Sequence, residues 1–427
     1  MTRPSTAFAV SLALFAPSTI TSAKTLCVSQ HPSPACPYST ISAAVAAASN
    51  GDIVRVSPGT YREDVVIGKA ISLIGANERN TIVDATGLSN GVYVDGMDTP
   101  GLGAVVVSDF TVRNAKFEGI LLTNVTDVTV SDNRVTSNNI NLIASGCPDI
   151  PDFETNEGFD CGEGVHLSGV DHSIIAGNLI EGNSGGILLS DDTGATHDNL
   201  ILKNIVRDNP FDCGITLASH TLFSATPGPP TAAGVYHNTI TGNVSQHNGY
   251  ETPGAGAGVG IFAGAPFNKT YGNVIVNNEL LENGLPGVAM HAHAPGATLS
   301  DNVIADNRIN GNGADTADTP TPGPAGINVS GGVTSTAVSG TLIAGNEIGR
   351  ETDGVVTGTS SFVSIHLNNF FGVPTGVDNL ATGTDGAQLN WWGCFGGPTA
   401  PGCANVQGAN IIFTPFLSIP DSPGGND

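Results

Sequence analysis

Short apolar stretches alternate with glycine and asparagine along most of the chain, and the pattern repeats. One unit is a glycine followed by alternating apolar residues. It recurs at Gly91, Gly119, Gly164, Gly186, Gly214, Gly258, Gly287 and Gly326. A second unit, Asn-x-Ile/Val/Leu-x-x-Asn, interleaves with it at Asn178–Asn183, Asn204–Asn209, Asn238–Asn243, Asn278–Asn283 and Asn307–Asn312. Successive glycines stand as little as 22 residues apart (Gly164 to Gly186). That length holds three short strands and their turns but no crossover helix, which excludes an α/β barrel or a doubly wound sheet. The pattern predicts an all-β solenoid with one coil per repeat. Alternate side chains in each Gly-led strand point inward, giving Val165/Leu167, Ile187/Leu189, Ile215/Leu217, Val259/Ile261 and Val288/Met290 as core stacks, with their neighbours facing solvent. The repeated Asn is expected to form a ladder at one corner, because its side chain mimics a turn.

The ends resemble a known superfamily. Tyr38 to Ala48, followed by Gly51 to Ile67, is similar to the opening helix and first coil of the pectate-lyase-like right-handed parallel β-helices, in particular their bacterial Asn-rich repeat members. Asn390-Trp391-Trp392-Gly393 is similar to their closing coil. The resemblance spans residues 25–416 and implies a single-stranded right-handed parallel β-helix with a short N-terminal capping helix. It leaves activity open, since this architecture hosts lyases, hydrolases, epimerases and non-catalytic proteins.

Residues 1–23 run from basic Arg3 through an apolar stretch to Thr21-Ser22-Ala23. They are expected to be a secretory signal peptide, leaving residues 24–427 as the β-helix domain. The apolar stretch falls short of the ~20 residues of a membrane span. Six of the seven cysteines form close sequence pairs, Cys27 with Cys36, Cys147 with Cys161 and Cys394 with Cys403. Disulfides at these pairs suit a secreted protein, extracellular or periplasmic. Cys213 is left as a buried thiol. With 14 Lys+Arg against 38 Asp+Glu and a formal charge of -24, no basic face exists for nucleic acid. The same balance disfavours a polyanionic substrate unless calcium bridges the charges.

Aligned on their glycines, the strands stack outward residues about 4.8 Å apart. Four positions after the Gly come Ser168, Ser190, Ala218, Phe262 and His291; six after it come Asp192, His220 and His293. Asp192 and His220 fall on adjacent coils, where a carboxylate orients and charges an imidazole. His291 and His293 point the same way and suit either an acid–base pair or, with His220, a transition-metal site. His166, Asp191, Phe262 and Lys269 are the candidate substrate contacts. Asp191, Asp192 and His197 also suit an ordinary turn, and Tyr236 and His237 a structural role. The longer insertions flank the same strand, and loops beside one sheet make a groove suited to a polymer.

These features point to a polysaccharide-active enzyme acting on a polysaccharide or oligosaccharide as a monomer. The first expectation is a lyase or epimerase in which His220, His291 or His293 removes a proton α to a carboxylate and Asp192 orients it. Classical pectate lyases resemble one another in using Arg or Lys as base with several Asp on calcium, a pattern this face lacks. A glycoside hydrolase would need paired carboxylates, Asp192 with Asp191 or Glu163. The other class is a non-catalytic surface protein or a metal-handling protein such as the β-helix accessory proteins of copper enzymes. Three Met and one unpaired Cys supply few soft ligands for that role.

Overall fold

A computed structural model describes residues 23–139, 162–219, 233–251, 256–313, 324–332 and 337–421. Each coil contributes one strand to each of three parallel sheets, taken in chain order as the first (14 strands), second (11 strands) and third (12 strands). One coil runs Ile174–Ala176, Leu179–Glu181 and Gly185–Ser190; the next runs Leu200–Leu202, Ile205–Arg207 and Ile215–Ser219. Like stacks on like: Ile175 pairs with Ile201, Ile180 with Val206, and Ile187 with Ile215. The result is the right-handed parallel β-helix that the repeats imply. All five predicted inward pairs are buried in the continuous core.

The Gly of each apolar unit sits at the tight corner where the chain enters the third sheet. A side chain on Gly186 would collide with the Gly214 carbonyl and with Val206 of the second sheet. The corner is therefore shaped for glycine, and any larger residue there requires the backbone to shift.

Asparagine ladders occupy three corners, where the sequence suggested one. Asn133, Asn178, Asn204, Asn243, Asn278, Asn307, Asn346, Asn368 and Asn390 line the corner between the first and second sheets. Asn138, Asn183, Asn209, Asn248, Asn283 and Asn312 line the corner beyond the second, and Asn199, Asn238, Asn273 and Asn302 the entry to the first. Each Oδ1 accepts from the backbone N–H and the Nδ2 of the preceding rung, as Asn243 does from Asn204 at 2.9 and 3.0 Å. The left-handed residue is the one before the ladder Asn, such as Asp132, Lys203 or Asn277. Asn thus acts through its amide, satisfying buried backbone groups that a turn would otherwise orphan.

The short helix Ile41–Ala47 lies at the N-terminal end, with Thr40 as its cap and Ile41, Ala44 and Val45 buried. At the other end Trp392 is buried against Phe370, ring centroids 5.2 Å apart. The Cys27–Cys36 and Cys394–Cys403 disulfides form beside these ends. Cys147 and Cys161 lie outside the described residues. Cys213 is a buried thiol, and burial pushes its pKa well up. No helix among the described residues is long and apolar enough to cross a membrane.

The outward face of the third sheet departs from expectation. In most coils of the second sheet, outward positions flanking the core residue are half-buried or exposed, as in Ile205–Arg207. In the third sheet, Glu163–Ser168, Gly185–Ser190, Ile215–Ser219 and Val288–Ala292 are buried at every position. The alternation of inward and outward side chains holds, but here the outward set does not face solvent.

Candidate functional site

Register fixes what shares this face. Leu121, His166, Leu188 and Thr216 form one outward column. Ser168, Ser190, Ala218, Phe262 and His291 form the next. The second is the column that alignment on glycine predicts.

Polar chemistry concentrates on the coils carrying His166 and its neighbours. His166 is 1% exposed, so it is a buried group and not the groove-lining side chain expected. Its Nε2 lies 2.8 Å from Ser190 Oγ, and Ser190 donates its proton to Asp192 Oδ2 at 2.6 Å. A hydroxyl has one proton, so Ser190 accepts from His166 Nε2–H. Among the described residues, the imidazole that Asp192 orients is therefore His166, through Ser190. His166 Nδ1 faces the other way, 3.5 Å from Glu118 Oε1. Glu163 completes the group. One ligand atom from each of Glu118, Glu163 and His166 lies within 4.8 Å of the others, and all three residues are buried. Gly185 leaves them space: a side chain there would approach Glu163 Oε1 to 3.2 Å and the Asp212 Cβ to 3.2 Å.

Asp191 is buried nearby and is held structurally. Its Oδ2 accepts from Ser219 Oγ at 2.9 Å and from the Gly234 N–H at 2.6 Å, so it pins the backbone beyond the third sheet. His220 lies outside the described residues.

Three coils beyond Asp192, about 14 Å along the axis at the strand spacing, the two histidines meet. His291 Nε2 and His293 Nε2 are 2.6 Å apart. His291 is buried and packs on Phe262, ring centroids 4.6 Å apart, while His293 is exposed. Burial, reinforced by His293, drives the His291 pKa down to about 3, so His291 stays neutral. Lys269 is exposed on the neighbouring coil.

Tyr236 and His237, whose register the sequence left open, belong to a separate aromatic row. Tyr236 stacks between His197 and Tyr271, with centroids 4.7 and 4.9 Å away. This row runs along the corner between the third and first sheets and stands apart from the buried cluster.

Sequence reasoning did not single out Glu118. A signal was present: Glu118 and Glu163 each stand immediately before the Gly of an apolar unit, in the same phase of the repeat.

Comparison with known proteins bears on fold and family. The chain is similar to the Dettilon tailspike protein (gp208), with a TM-score of 0.54 and 14% identity, covering 88% of this chain and 64% of that one. It is also similar to the catalytic domain of a GH87 alpha-1,3-glucanase in complex with tetrasaccharides, with a TM-score of 0.52, 14% identity and coverage of 93% and 69%. At that identity the likeness establishes the parallel β-helix and nothing finer. No curated protein matches. A family model described as periplasmic copper-binding protein (NosD) matches residues 40–228 and 224–416.

The described residues do not gather a ligand set suited to copper(I). Nitrogens bound to one ion at ~2.0 Å each stand roughly 3–4 Å apart, whereas His291 and His293 close on each other at hydrogen-bond distance. The sulfur donors preferred by copper(I) lie elsewhere: Met290 is in the core beneath Asn302, and the Cys213 thiol accepts from the Ala257 N–H. The two matches together span nearly the whole repeat region on the fold just described, and the chain belongs to the NosD family.

Proposed function

We propose that the protein works outside the cytoplasm as a glycan-active enzyme, a polysaccharide lyase or epimerase, on the outward face of the third sheet. The observation that carries this reading is the gathering of Glu118, Glu163, His166 and Asp192 in the buried layer of one face, with the His291–His293 pair opening to solvent on the same face. Burying several carboxylates and imidazoles together works against stability, and such groups concentrate where proton transfer is needed.

Lysis and epimerisation of a uronate share their first step, removal of the proton α to the carboxylate. His293 is the base in this reading. It is exposed, and neutral His291 stands within hydrogen-bond distance to orient it. Phe262 backs the pair, and Lys269 supplies positive charge for an acidic sugar in an otherwise acidic protein. Asp192, Ser190 and His166 lie in the buried layer of the same face and support it from beneath.

Purified protein incubated with a panel of polyuronates and neutral glycans tests this. Expected is ultraviolet absorbance from unsaturated products, or exchange of the α-hydrogen with deuterated solvent without chain cleavage. New reducing ends without unsaturation would instead establish hydrolysis. No product and no exchange on any uronate would refute the reading.

A further inference from the structure

We propose that Glu118, Glu163 and His166 form a binding site for one divalent transition-metal ion of the Mn2+ or Zn2+ class. The site has one imidazole nitrogen and two carboxylates, contributed by two adjacent coils of the third sheet. Ligands at ~2.0–2.2 Å from a shared ion stand roughly 3–4 Å from one another. The observed spacing, within 4.8 Å for the three and 3.5 Å between His166 Nδ1 and Glu118 Oε1, needs only a small contraction.

Two further observations point to a cation. Ser190 gives its only proton to Asp192, so His166 carries hydrogen on Nε2 and, in the neutral ring, turns the Nδ1 lone pair toward Glu118. Glu118 Oε1, which also accepts from the Gly162 N–H at 3.3 Å, thus stands beside that lone pair as two ligands of one ion would. Glu118 is wholly buried, and its Oε2 finds no hydrogen-bond partner among the described residues. Such an oxygen is costly to leave bare.

The remaining contacts are those of a ligand shell. Metal-bound histidine commonly donates its other N–H to a carboxylate, directly or through an intermediary, and Ser190–Asp192 supplies that chain. The donors are nitrogen and oxygen only. Imidazole favours a first-row transition ion over calcium, and a donor set without thiolate or thioether disfavours copper(I). Because the site is closed to solvent, the ion enters as the chain folds.

The full chain is unfolded in chelator and refolded with Mn2+, Zn2+ or Ca2+ alone. It is then desalted, and its metal content and thermal midpoint are measured. No turnover is needed, so the outcome is separate from that of the glycan panel. One equivalent of Mn2+ or Zn2+ per chain with a raised midpoint is expected. Glu118→Gln and Glu163→Gln should each abolish retention. Ser190→Ala keeps all three ligands and removes only the support of His166, so it should fold and weaken retention roughly 10–100-fold. Sub-stoichiometric metal in refolded wild type, retention of Ca2+ alone, or retention unchanged in a folded Glu163→Gln protein would overturn the assignment.

Discussion

At the residue scale, the buried amides and acids carry the most information. Asn243 sits in the middle of a ladder. It accepts from the Asn204 backbone N–H and Nδ2, and it donates to the Ile201 carbonyl and to Asn278. Asn243→Ala strands a buried donor and a buried acceptor together, so a loss of about 2–4 kcal/mol is expected in denaturant unfolding. Glu351 ends the second-corner ladder, taking the Asn312 N–H and Nδ2 on one oxygen. Burial lifts its carboxyl to about 7 from 4.5. Between those values the folded chain holds a proton that the unfolded chain has released, so stability falls as pH rises through that window. Glu351→Gln keeps the accepting oxygen and cannot ionise. Its thermal midpoint should match wild type near about pH 4 and exceed it by a few degrees near about pH 8, because each pH step of one across that window removes roughly 1.4 kcal/mol from the wild type. A gain equal at both pH values would mean that ionisation is not the cause.

At the element scale, the strands were legible because their physics is local. Val165/Leu167 and Ile187/Leu189 declare an inward face by alternation alone, and the Gly before each declares a corner. Gly186→Ala tests that corner. The new methyl would meet the Gly214 carbonyl and Val206, so a destabilisation of roughly 1–3 kcal/mol is expected, seen as a lower unfolding midpoint with the fold intact by circular dichroism. What could not be read locally is whether an outward face is wet. His166 occupies an outward strand position like any other, and its burial depends on parts of the chain distant in sequence. Asp191 illustrates the same limit: its partners Ser219 and Gly234 stand 28 and 43 residues on.

At the scale of the whole molecule, a solenoid places residues of different coils side by side at one strand spacing. That is how Glu118 meets Glu163 and His166 across 45 or more residues of sequence. The alignment of coils predicted the Asp192 and His291–His293 positions on one face. It missed Glu118 because the outward columns were read from positions after each Gly, whereas Glu118 and Glu163 stand immediately before it. The two polar groups, one buried and one reaching solvent, divide the candidate site into a supporting cluster and an exposed base.

The most direct measurement is kcat together with the thermal midpoint for His293→Ala on the glycan that the wild type turns over. His293 is exposed, so its removal should leave the midpoint nearly unchanged. As the proton-accepting base, its loss should lower kcat about 10²–10⁴-fold. Turnover at the wild-type rate by a folded His293→Ala protein would contradict the placement of the active site on this face.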